Sequence, residues 1–113
     1  MDPIQIAILA LLNQHANGRP NAMTADAIFN ALSAQNLPVF QGRTQEQVRQ
    51  SISGMVNNHG QLIGSGNTGF YLINNRDEAI DTIMDLVSRS ASNLDRVNHL
   101  RTNWNTQNLN NQI

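Results

Sequence analysis

The sequence predicts a mainly α fold with a small β-hairpin, in which a compact helical unit is followed by a long C-terminal helix. Three observations predict it. Apolar residues recur at helical spacing around residues 4–12, 28–32, 48–56 and 80–104. A glycine-rich segment, Ser65-Gly66-Asn67-Thr68-Gly69, lies between two short apolar runs, the pattern of a hairpin. Aromatic residues are only 4% of the chain, so aliphatic side chains must build the core.

At 113 residues the chain makes one domain with room for an appendage. It contains no cysteine, which excludes disulfides and thiolate metal sites. His15, His59 and His99 lie far apart with no local ligand motif, so neither a metal nor a cofactor is expected. Formal charge is −1, and all seven cations are arginines. That argues against strong, indiscriminate DNA binding, which rests on many phosphate contacts. It leaves base reading open, since Arg, Gln and Asn all serve that purpose. The N-terminus carries Asp2 rather than a basic leader, and the apolar run 4–12 is too short to span a bilayer. A cytoplasmic protein with no membrane partner is expected.

Asp2 followed by Pro3 reads as an N-cap with proline at the first helical position. A first helix over residues 4–15 follows, apolar over more than one stripe and so expected to be covered on two sides. Asn17-Gly18 and Pro20 mark a break. Ala22-Met23 is a candidate short strand. Thr24 caps a second helix over 25–35 that buries Ile28, Phe29 and Leu32. Residues 36–42 form a connection whose Leu37, Val39 and Phe40 read as core plugs.

The third helix, 44–58, has Thr44 as N-cap and Gln47 three residues on to complete a capping box. Val48, Ile52, Met55 and Val56 repeat at the spacing of one buried face. Asn57-Asn58-His59-Gly60 ends it, with Gly60 suited to a left-handed closing residue. Strands at 61–64 and 70–73 then complete a hairpin over 61–73.

Beyond it, Asn75 and Glu78 form a second capping-box pattern. The apolar stripe Ile80, Ile83, Met84, Val87, Ala91, Leu94, Val97, Leu100 and Trp104 predicts a helix over 75–104, about 40 Å long. A small helical domain cannot cover that length. Ile80, Met84, Val87, Ala91, Leu94, Val97, Leu100 and Trp104 are therefore the expected dimerisation seam, most simply between two copies of the chain. Ser88-Arg89-Ser90 and Ser92-Asn93 lower helix propensity midway and leave a bend or break open. The Asn/Gln-rich tail, 105–113, is expected to be disordered.

The order helix, helix, helix, hairpin, with Val48-x-x-x-Ile52-x-x-Met55-Val56 leading into Gly60-x-Leu62-Ile63 and Gly69-Phe70-Tyr71-Leu72, resembles the winged helix-turn-helix superfamily over residues 4–74. The continuation through Asp77-Glu78 and Ser88-Arg89 is similar to small phage and prophage winged-helix proteins. The resemblance implies a winged-helix domain over 1–74, with helix 44–58 in the major groove and hairpin 61–73 as the wing. The chain departs from the family in lacking lysine and in carrying no basic residue at the wing tip.

On that reading Arg49 grips guanine and Gln47 or Gln50 pairs with adenine, with Gln45 and Ser51 beside them. Backbone N–H groups at Thr44, aided by Arg43, bind a phosphate. Asn67 and Thr68 touch the backbone or minor groove from the wing tip. With so few cations, DNA binding predicts a dimer that presents two recognition helices about 34 Å apart. No catalytic residues are expected, because Asp77, Asp81 and Asp85 form a solvated stripe without a nucleophile or phosphate loop. The expected function is a dimeric, sequence-specific DNA-binding protein, either a transcriptional regulator or a phage- or plasmid-type accessory in replication or packaging. The alternative is a protein-interaction or assembly module on the same scaffold.

Overall fold

The computed structural model describes residues 1–35, 45–89 and 94–113. Within them the chain is mainly helical, with one two-stranded antiparallel hairpin. Helix α1 (Pro3–His15) opens on a complete capping box: the Asp2 carboxylate accepts from the Gln5 amide, and the Gln5 side chain accepts from the Asp2 amide. Helix α2 (Ala25–Ala34) starts where the Thr24 hydroxyl accepts from the Ala27 amide. Helix α3 (Gln45–His59) packs against both. Its cap, Thr44, and the 36–42 connection lie outside the described residues, as do Arg43 and Ala91.

The three helices share one aliphatic core. Ile8, Leu12, Ile28, Ile52, Met55 and Val56 are essentially inaccessible to solvent. Burying each of these larger side chains contributes about 1.5–3 kcal/mol relative to exposure. The second apolar face of α1 is not fully covered, and Ile6 stays 55% exposed.

Gly60, at φ +67, lets the chain leave α3 for the hairpin. Strand β1 (Ile63–Gly66) pairs with β2 (Gly69–Leu72) in the register Ile63↔Leu72 to Gly66↔Gly69. The strands are therefore displaced from the expected 61–64 and 70–73, and the loop shrinks to Asn67-Thr68. Ser65 and Gly66, read as turn in sequence, serve as strand, and Gly64 beside them has the Tyr71 ring where its Cβ would be. Beyond β2, Met23 exchanges both backbone hydrogen bonds with Phe70, at 2.8 and 2.7 Å. The short strand expected at Ala22-Met23 is thus a single bridge. Gly69, at φ +120, is required there, since a side chain would collide with the Met23 carbonyl.

The largest correction concerns the C-terminal third. The single helix expected over 75–104 is two helices, α4 (Arg76–Arg89) and α5 (Leu94–Gln107), which pack against each other. Residues 90–93, between the two helices, lie outside the described residues. Helix α5 also lies against α3, so Val97, Leu100 and Trp104 enter the chain's own core at 5% exposure or less. They cannot form an intermolecular seam while α5 is docked. The buried face of α4 is Ala79, Thr82, Ile83 and Leu86, one step round from the stripe read in the sequence.

The capping pattern at Asn75 is half formed. Its side chain accepts from the Glu78 amide, whereas the Glu78 carboxylate turns to the amides of Asn74 and Arg19. The tail also has a defined path, contrary to expectation. Trp104 Nε1 donates to the Asn111 carbonyl at 2.8 Å, and the Ile113 amide donates to Asn105 Oδ1 at 2.7 Å. The amide side chains that suggested disorder here supply the tail's own hydrogen bonds.

Candidate nucleic-acid interface

Helix α3 turns its apolar residues inward and leaves Gln45, Glu46, Arg49, Gln50 and Asn57 exposed. Three supports hold it. Its α1 side is met by Gln5, whose amide donates to the Ser51 carbonyl. Its C-terminal end is capped from α5: Asn103 Nδ2 donates to the carbonyls of Val56 and Gln61 at 2.9 and 3.0 Å, and Gln107 Nε2 donates to the Gly60 carbonyl at 2.6 Å. These bonds satisfy carbonyls that a helix end otherwise leaves unpaired. Midway along it, Arg96 Nη1 of α5 donates to Ser53 Oγ at 3.2 Å.

Arg49 lines a groove of about 210 Å³. Thr24 and Ala25 at the start of α2, Ser65 and Gly66 of β1, and Asn67, Gly69 and Phe70 complete its lining. The Arg49 guanidinium is 3.6 Å from Glu46, one turn back on the same exposed face. Such an open pair is weak, so the guanidinium is readily redirected to another anion.

The predicted contact residues do not all share one face. Gln45, Arg49 and Gln50 are exposed together, and Asn67 and Thr68 project from the hairpin tip. Gln47 and Ser51 are half-buried, with Ser51 on the flank toward α1. Arg43 and Thr44 lie outside the described residues. Of the expected dimerisation residues, Met84, Val87 and Leu94 are exposed at 64%, 49% and 51%, and Ile80 is half-buried.

No family model, curated protein or solved structure matches this chain.

Two arginines that sequence reading did not place at this site belong to its surroundings. Arg89, in the last turn of α4, donates to the Ser65 carbonyl at 2.9 Å. Arg96 is half-buried, and its Nε and Nη2, shut off from solvent, find no hydrogen-bond partner among the described residues. Burial, and then the neighbouring Arg89 guanidinium, hold the Arg96 pKa below the ordinary arginine value. The sequence signal for both residues was only their charge. Their convergence depends on α4 and α5 folding back together. Among the described residues no group of His, Asp and Glu side chains is placed to hold a metal, and no helix is long and apolar enough to cross a membrane.

Proposed function

We infer that the chain is a DNA-binding protein of winged-helix type that reads duplex DNA with α3, as a regulator of transcription or a phage- or plasmid-type accessory in replication or packaging. The observation that carries this reading is the position of Arg49. It stands on the exposed face of a helix braced by α1 and α5, and lines a groove that the hairpin and the start of α2 complete. A guanidinium so placed, with Gln45 and Gln50 beside it, offers the two-point donors that guanine accepts and the amides that adenine pairs with. On this reading the hairpin that follows α3 serves as the wing, with uncharged Asn67 and Thr68 at its tip.

Seven arginines against eight carboxylates supply little phosphate neutralisation per chain. Binding therefore rests on two copies acting together, and the exposed Met84, Val87 and Leu94 are the surface offered for pairing. A DNA-reading role implies a cytoplasmic protein. That same apolar strip supports the second reading, an assembly module that binds protein and leaves DNA alone. Titration against mixed-sequence duplexes at low and moderate salt separates the two. Saturable binding that weakens with salt is expected. No detectable binding at low salt overturns the DNA reading and leaves the assembly module.

A further inference from the structure

Arginines from three helices converge beside the hairpin, although Arg89 and Arg96 lie 40 and 47 residues beyond Arg49 in sequence. Arg49 lines the groove together with Ser65. Arg89 reaches the same Ser65 from α4, donating to its carbonyl. Arg96 reaches α3 from α5 at Ser53, one turn beyond Arg49.

Carboxylates do not match this convergence. Glu46 faces Arg49 at 3.6 Å. Asp85 is shared, at 3.1 Å from Arg19 and 3.6 Å from Arg89. Arg96 makes no ion pair among the described residues, and two of its nitrogens are buried without acceptors. Among the described residues, folding thus holds two neighbouring guanidinium groups, Arg89 and Arg96, against one carboxylate, Asp85, which Arg19 shares. Positive charge gathered at such a net deficit attracts an anion, and one with several acceptor oxygens suits guanidinium geometry best.

We propose that Arg89 binds a backbone phosphate of the DNA duplex at the β1 edge, with Arg96 behind it as the residue that keeps the local charge positive. The phosphate contact thus comes from the end of α4, beside the hairpin, in place of the basic wing tip that this chain lacks. It rests on the reading that α3 binds duplex DNA: Ser65, which accepts from Arg89, lines the same groove as Arg49 of α3. Phosphate contacts position a duplex without reading its sequence, so Arg89 serves every sequence alike. Arg49, directed at base edges, does not.

The test is a salt titration of the full chain, its Arg89→Gln variant and an Arg101→Gln control, each on two unrelated duplexes. Gln removes the charge and, being shorter, also the bond to the Ser65 carbonyl, which is exposed and contributes little to stability. Arg101 is exposed on α5 and, five residues from Arg96, points about 140° away from it. Expected for Arg89→Gln is an unchanged melting temperature, weaker binding by the same factor on both duplexes, and a slope of log K against log salt shallower by about one. Arg101→Gln should match the parent. If the parent binds and Arg89→Gln keeps its affinity and slope, Arg89 contacts no phosphate and the α3 reading survives. If the parent binds neither duplex at low salt, that reading fails and this one with it.

Discussion

The phenol oxygen of Tyr71 and the hydroxyl of Thr82 lie 2.6 Å apart in the buried seam between β2 and α4. Thr82 already donates to the Glu78 carbonyl at 2.7 Å, so its proton is committed and Tyr71 must be the donor to Thr82. This bond fixes the hairpin to α4, and through it the groove wall opposite Arg49. Replacing Thr82 by Val keeps the shape but leaves the Tyr71 hydroxyl buried with no acceptor, at a cost of about 1–3 kcal/mol. Tyr71→Phe removes the donor instead and should cost about 1 kcal/mol. The double variant should lose less than the sum in urea unfolding, and strict additivity would reject the bond.

Gly64 has no room for a methyl group. An added Cβ would stand 2.5 Å from Cε2 and Cζ of Tyr71, whereas at Gly66 the nearest atom is Asp85 Oδ2 at 4.0 Å. Gly64→Ala must push the ring off Thr82 and should destabilise the protein by about 1–3 kcal/mol. Gly66→Ala should melt close to the parent. Equal melting of the two variants would mean that the Tyr71 ring yields without loss.

This pair of glycines also shows where sequence reading stops. In sequence Gly64 ends a strand and Ser65 and Gly66 read as turn, and nothing local announces that a tyrosine seven residues on will lie over Gly64. The features that were legible are those with local causes: the Asp2 and Thr24 caps, the 48-52-55-56 face, and the left-handed Gly60. The buried face of α4 was missed because it includes Thr82, a polar residue satisfied only by the distant Tyr71. The arginine cluster was missed for the same kind of reason, since it exists only when α5 returns to α3.

Asn103 makes that return specific. Its amide bridges the Val56 and Gln61 carbonyls, one on each side of the chain's turn out of α3. Asn103→Ala removes both bonds and should destabilise the protein by about 1–2 kcal/mol. Amide hydrogen exchange should rise first in the last turn of α3 and in the segment leading to β1. A uniform rise across all helices would show that α5 docks by apolar contact alone.

Arg96 is held against its own stability. Its buried Nε and Nη2 lack acceptors among the described residues, and Arg89 repels it. Methionine has a similar length and no charge, so Arg96→Met should raise stability, by about 1 kcal/mol. The same variant should weaken duplex binding, because the charge behind Arg89 is gone. Lower stability in thermal melting would mean that the guanidinium serves the fold.

Pairing of two chains is the remaining requirement of the DNA reading, and the surface for it has moved. With Val97, Leu100 and Trp104 in the core, the apolar residues left outside on α4 are Met84 and Val87, three residues apart, with half-buried Ile80 four before Met84. Both exposed side chains can take a charge without opening the core. A Met84→Glu, Val87→Glu variant should therefore keep the parent's circular dichroism and melting temperature. In sedimentation velocity the parent should run as a dimer and the variant as a monomer, with a matching loss of duplex affinity at equal chain concentration. A variant that still sediments as a dimer would move the interface elsewhere, with the exposed Ile6 of α1 the next surface to test. A parent that sediments as a monomer at concentrations that saturate DNA would remove the pairing requirement altogether, and the few arginines of one chain would then have to carry the whole of the binding.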